Sequence, residues 1–340
     1  MKTRFGSIQI ANSQLFSQHH NGFGISPYLQ EKLVFLGQFE VYKQASDLAQ
    51  TMLGVTIGPS QIDRLTSHYG AAIEAQLDQP APAQQTATEP VGVIYAQADG
   101  AMLLTEEGYK EAKLGRIFAA TALKESVVAE RGGQIESSIF VGHVGTAAAF
   151  KLKLGAQLAA YKDLGNELVF ISDGSVWLRQ MMEQSYPEAT LILDMYHRTG
   201  APALEHIGEV GKAGLGPGKV GSDWFKVQRK LLLDSCLGEV LVNIRALKVS
   251  PALRDSVCSY LSSNQDRMDY KSYRRRGLLI GSGAIESAHR TVMQRRLKRS
   301  GQRWSMGGAQ RVLNLRVCQM SGRWNLVRQQ IEPTNYAMAA

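Results

Sequence analysis

The chain has 340 residues, 44% of them hydrophobic, and a formal net charge of +8, which allows a full core, excludes a chain disordered throughout and favours polyanionic partners, nucleic acid first. No run approaches the roughly 18 consecutive apolar residues of a membrane span and Met1–Ile10 lacks a signal-peptide core, so the expectation is a cytoplasmic protein with no membrane partner. Cys236, Cys258 and Cys318 stand far apart without metal-ligand spacing, which excludes a disulfide framework or zinc ribbon and leaves buried thiols.

The first patterned segment runs from Tyr42 to Tyr69, where QASDLAQTML and IDRLTSHYG flank GVTIGPSQ. It reads as helix, turn, helix, with Gly54 closing the first helix and Ser60 capping the second. Residues 1–78 thus form an N-terminal helical module, either a DNA-binding helix-turn-helix or a plain helical hairpin; only Arg64 and His68 are basic on the second helix. The stretch 79–90, QPAPAQQTATEP, has the composition of a linker.

After it, VGVIYAQADG, YKEAKLGRIFAAT and QIESSIFVGHV read as three successive strands, an antiparallel meander. Thr146 to Lys162 has helical spacing, LVFIS is a short buried strand, Val176 to Gln184 is helical and ATLILD closes the series as a strand. A helical stretch from His197 to about Asp269 comes next, then a last helix from Gly283. The order strand, strand, strand, helix, strand, helix, strand describes an α/β domain over 91–330 with a helical insertion at about 198–280, and 331–340 reads as a tail.

Two aspartates stand directly after apolar strands, Asp99 after VIYAQA and Asp173 after VFIS, each followed by glycine. An acid there is well placed to bind a cation whose other ligands are water and phosphate oxygens, Mg2+ or Mn2+ in chemistry; either Asp-Gly pair alone also reads as a turn. The third acid is Glu286 in GSGAIESAHR, the one acidic residue among nine Lys or Arg between Arg274 and Arg303. It reads as a counter-ion of Arg290 on the same helix or as a metal ligand. Two-metal phosphoryl chemistry accounts for the set, since it needs separate acids for two divalent ions and positive charge for a nucleic-acid backbone.

QADGAM with GYKEAKLG, ISDGSVWLRQMMEQSYPEATLILDMYH and GSGAIESAHRTVMQRRLKRSGQRWSMGGAQRVLNLR resemble the DDE transposases with a ribonuclease H-like fold, specifically bacterial insertion-sequence enzymes of the ISKra type, related to Mutator-like elements. The resemblance spans about Ser26 to Trp324. It implies a ribonuclease H-like mixed sheet flanked by helices, with Asp99, Asp173 and Glu286 as the catalytic and metal-binding acids. It also implies an Asp-x-x-His pair, Asp194 and His197, that supports the site without binding metal. DNA contacts are expected from Arg290, Arg295, Arg296, Lys298, Arg299 and Arg303; Trp224 reads either as a base-stacking ring or as core. The expected activity is metal-dependent cleavage at element ends and transfer of the 3′-hydroxyl into target DNA by a homodimer or higher oligomer. A nuclease without strand transfer and a silent DNA-binding descendant are the alternatives. Members of the family usually carry more sequence before the catalytic region, so recognition of element ends is expected to be incomplete in this chain.

Overall fold

The computed structural model describes residues 2–3, 6–7, 21–80, 92–124, 133–163, 165–196 and 202–332. Three helices come first, α1 (Pro27–Phe39), α2 (Tyr42–Leu53) and α3 (Pro59–Ala72). The sequence pattern did not mark α1, which starts where the Ser26 hydroxyl accepts the Leu29 N–H at 3.4 Å and Pro27 takes the first turn. α2 stops at Gly54, whose φ of +66° is the left-handed closing conformation. The start of α3 differs from expectation: Gly58 occupies the cap and Pro59 the first turn, so Ser60 lies inside the helix. Of the expected linker, 81–90 lies outside the described residues, as do 333–340 of the expected tail.

The centre is a mixed five-stranded sheet of β1 (Val93–Thr105), β2 (Gly108–Ala119), β3 (Ile139–Val144), β4 (Glu167–Ser172) and β5 (Thr190–Leu193), in the order β3-β2-β1-β4-β5. β1–β2 and β2–β3 are antiparallel, while β1–β4 and β4–β5 are parallel. Gln134–Ile135, expected as part of the third strand, instead pairs with Leu123–Lys124 in a separate two-stranded ribbon. Alternation sends Ile94, Ala96, Ala98, Ile117 and Phe170 to one face, covered by α4 (Ala147–Asp163) and α5 (Val176–Ser185). Gly115 permits that cover, since a Cβ there would stand 3.1 Å from Leu154 Cδ1.

The opposite face carries Tyr95, Val169, Ile171 and Ile192 under a helical unit of α6 (Pro202–Leu215), α7 (Lys219–Leu233), α8 (Leu237–Arg245), α9 (Pro251–Ser263) and α10 (Tyr270–Arg275). Beside it, Leu103, Leu114 and Phe140 are covered by α11 and α12. α11 is Gly283–Ala288 continued by a π-helical stretch, His289–Gln294, into Arg295–Leu297. α12 (Met306–Met320) and α13 (Asn325–Ile331) come after it, two helices beyond the last one expected. Leu33, Ile62, Leu65 and Tyr69 of the N-terminal helices share a core with Leu315, Cys318, Val327 and Ile331 of α12 and α13. Among the described residues no helix is long and apolar enough to cross a membrane.

Candidate active site

Asp99 sits inside β1, which runs on to Thr105. This corrects the expectation that the strand ends before it. Gly100 pairs with Lys113 in the ladder and makes no turn; its N–H donates to Asp99 Oδ1 at 2.7 Å. A Cβ on Gly100 would stand 2.1 Å from Glu111 Oε1, so the glycine admits a neighbouring side chain and does not serve a reversal. Asp173 does follow β4 directly, and Gly174 there has a φ of +91°. The Ser175 N–H donates to Asp173 Oδ1 at 3.0 Å, fixing the carboxylate over the turn into α5.

The parallel register pairs Gln97 with Ile171. Beyond that last pair Asp99 continues β1, while Asp173 follows the end of β4, so both aspartates stand past the same end of the parallel β1–β4 ladder. α11 is laid across the sheet by hydrogen bonds to its backbone. Gln97 Oε1 accepts the Ile285 N–H at 3.0 Å, Gln97 Nε2 donates to the Gly281 carbonyl at 3.2 Å and Arg116 Nη1 donates to the Ala284 carbonyl at 2.9 Å. Burial lowers the Arg116 guanidinium to about 10.

Glu286 follows in the same helical turn, 3.7 Å from Arg290 Nη2. A polar depression of about 380 Å³ is lined by Asp99, Glu286, His289, Arg290, Gln294 and Lys298. The structure therefore brings Asp99 and Glu286 into one concavity, while Asp173 stands one strand over and does not line it. His289, which the sequence pattern did not single out, is buried with Nε2 3.4 Å from Asp99 Oδ2. Its signal was available in Glu286-x-x-His289, a spacing that puts both side chains on one face of a helix.

Asp194 is completely buried just past β5. The Tyr196 N–H donates to its Oδ1 at 2.8 Å and the Ser282 hydroxyl donates to its Oδ2. With the Met195 N–H on the Ile280 carbonyl at 2.9 Å, this fastens the approach to α11 onto the end of β5. His197 lies outside the described residues. A second residue that the sequence did not single out is Tyr260 of α9, whose hydroxyl oxygen would be 2.7 Å from a Cβ on Gly174.

The expected DNA-binding set divides. Arg290, Lys298 and Arg303 are exposed, and Arg295 is exposed with its guanidinium 4.1 Å above the Phe39 ring. Arg299 is half-buried and held by Glu40 at 2.7 Å. Arg296 is corrected: it is 1% exposed, donates to the Gly37 carbonyl at 3.1 Å and lies 4.9 Å over both the Tyr42 and Trp304 rings. A guanidinium enclosed in this way cannot reach a phosphate. Trp224 packs in the helical insertion, where a Cβ on Gly211 would meet its ring at 2.8 Å.

Among the described residues no three His, Cys, Asp or Glu side chains converge into a ready-made metal cage. A small hard cation does not need one, because Mg2+ is held by one or two carboxylates together with water and substrate phosphate. The oxygen donors of Asp99, Asp173 and Glu286 fit that requirement and do not fit a thiolate or imidazole cage.

No family model matches this chain. It is similar to a Streptococcus gallolyticus protein named "UPF0236 protein in vanSb 3'region", with 26% identity over 311 residues that make up 87% of this chain and 64% of that protein. The chain thus spans 64% of the length of the curated relative it matches.

Proposed function

We propose that this chain is the catalytic part of a DNA transposase of the DDE type, built on a ribonuclease H-like sheet, which cleaves at element ends and joins the 3′-hydroxyl to target DNA. The observation that carries the reading is that Asp99 and Glu286 line one depression, with Asp173 just past the end of β4, the strand that pairs in parallel with β1. The strand order β3-β2-β1-β4-β5 is compatible with that scaffold.

In this reading Asp99, Asp173 and Glu286 hold two divalent ions, Mg2+ or Mn2+. When bound, the ions lower the pKa of the attacking water or 3′-hydroxyl and stabilise the leaving oxygen of an in-line displacement. The chain's own residues supply position. Gln97 and Arg116 fix the height of α11 above the sheet, and Asp194 fixes its entry through Ser282. Arg290 and Lys298, at the rim of the depression, receive the phosphate backbone. DNA ends and target are the partners, and bringing two ends together calls for a homodimer or higher oligomer.

Purified full-length protein incubated with labelled element-end DNA and Mg2+ or Mn2+ tests the reading against Asp99→Ala, Asp173→Ala and Glu286→Gln. Strand joining abolished by each substitution supports it. Hydrolysis without joining replaces it with a nuclease, and metal-independent binding by the wild type without turnover replaces it with a silent DNA-binding protein. The gene locus gives a second test: terminal inverted repeats and short target duplications are expected to flank it.

A further inference from the structure

Tyr260 belongs to α9 of the helical insertion, far in sequence from both aspartates, yet its hydroxyl reaches the loop that follows β4. Its oxygen lies so close to Gly174 that a Cβ there would stand 2.7 Å away. The phenol also lies within the field of Asp173. Burial raises the phenol above its ordinary range, with the Arg267 guanidinium opposing the rise and the Asp173 carboxylate adding to it; a phenol is in any case a donor at neutral pH. The ring is held by His206, with centroids 4.7 Å apart, and the backbone carbonyl of Tyr260 accepts from Asn264 Nδ2 at 2.8 Å and Ser263 Oγ at 2.9 Å. The ring thus packs on His206 above a fixed backbone, while its hydroxyl, buried from solvent, has no hydrogen-bond partner among the described residues.

A buried donor without an acceptor is costly and is retained where a ligand or an ordered water completes it. Beside the hydroxyl is Gly174, which makes room for it next to Asp173, and the charges of Arg267 and Asp173 both act on it.

We propose that the Tyr260 hydroxyl is a positioning group of the Asp173 site and would donate its hydrogen bond to an oxygen ligand of a divalent cation held there. The insertion thereby takes part in positioning the ion. The inference rests on the metal-dependent reading above and adds to it a positioning residue from outside the sheet and α11. Groups that orient the ligands and waters of a bound metal commonly change its affinity by about 10–100-fold when removed.

The test is Mn2+ binding by the full-length chain, followed calorimetrically, together with the melting temperature of the metal-free protein, for wild type, Tyr260→Phe and Asp173→Asn. Expected for Tyr260→Phe is Mn2+ affinity weaker by about tenfold or more, with a metal-free Tm equal to or above wild type because an unsatisfied hydroxyl has been removed. Asp173→Asn sets the level of binding when the carboxylate is removed. Affinity of Tyr260→Phe within twofold of a wild type that does bind overturns the role of Tyr260 and leaves the metal-dependent reading standing. A metal-free Tm lowered by about 2 °C or more assigns the hydroxyl a structural bond and also overturns the proposal. Wild type that binds no Mn2+ overturns both readings.

Discussion

Gly174 and Gly100 follow the two aspartates in the same Asp-Gly pairing, but they are glycines for different reasons. Gly174 has a φ of +91°, and a Cβ there would stand 2.7 Å from Tyr260 Oη and 2.9 Å from Leu193 Cδ1. Gly100 is ladder-paired within β1, and its severe neighbour is Glu111 Oε1, the end of a side chain 38% exposed and able to swing away. Gly174→Ala is therefore expected to destabilise by about 1–3 kcal/mol, combining backbone strain with overpacking. Gly100→Ala is expected to cost less than Gly174→Ala, because the Glu111 side chain can turn away without backbone strain, although it gives up its 2.6 Å ion pair with buried Lys113, which keeps the Gly145 carbonyl. Urea unfolding of the two variants measures both, and equal costs would show that the Asp173 turn is less confined than its geometry implies. The sequence alone presents two identical dipeptides; the difference arises from the side chains that α9 and β2 bring against them.

α11 is the element in which one basic tract serves two purposes. Arg296 turns inward onto Tyr42, Trp304 and the Gly37 carbonyl, while Lys298 and Arg290 face the depression. The π-helical stretch His289–Gln294 contributes to this sorting, since an extra residue per turn rotates the side chains C-terminal to it and frees carbonyls from the regular ladder. Buried Arg316 donates to two of those carbonyls, Thr291 and Val292. Lys298→Ala or Arg290→Ala is expected to reduce the slope of log K against log salt for DNA binding by about 1 for each phosphate no longer neutralised. Arg296→Met is expected to leave that slope unchanged and to lower Tm; a reduced slope for this variant would restore it to the DNA-facing set. Charge composition announced the tract, but only packing decides which arginines remain outside. The five strands, α4 and α5 were legible because alternation and helical spacing survive where one side of an element meets a core. α12 was not, because Val312, Leu313, Asn314, Leu315, Arg316, Val317 and Cys318 are all buried in succession and leave no polar stripe. Among the site residues, Asp99 and Glu286 line one depression. His289 was within reach through its spacing from Glu286, whereas Tyr260 was not, since nothing local in α9 points to Asp173.

At the scale of the whole molecule, the N-terminal helices read from sequence as a separable module, but the structure joins them to the C-terminal helices. Leu33, Ile62, Leu65 and Tyr69 share their core with Leu315, Cys318, Val327 and Ile331. The approach of α3 to α12 is backbone-close: a Cβ on Gly70 would lie 2.3 Å from the Arg311 carbonyl oxygen, and Asn314 Nδ2 donates to the Gly70 carbonyl at 2.9 Å. Arg316 adds a bond from α12 to Gln38 Oε1 of α1 at 3.0 Å, and Arg299 one from the end of α11 to Glu40 at 2.7 Å. The segment after Glu286 is therefore seated on α1 as well as on the sheet. Deleting residues 1–78 would expose the apolar side of α12 and α13 and take the Gln38 acceptor and the Phe39 ring from the buried Arg316 guanidinium, leaving it only the Thr291 and Val292 carbonyls. The expected outcome is a truncated chain that is insoluble or lacks a cooperative transition, while the full chain melts in a single transition by calorimetry. A soluble truncation with the thermal cooperativity of a complete domain would mean that α12 and α13 are held by the sheet alone, and that the N-terminal helices are an appended module with no part in placing Glu286.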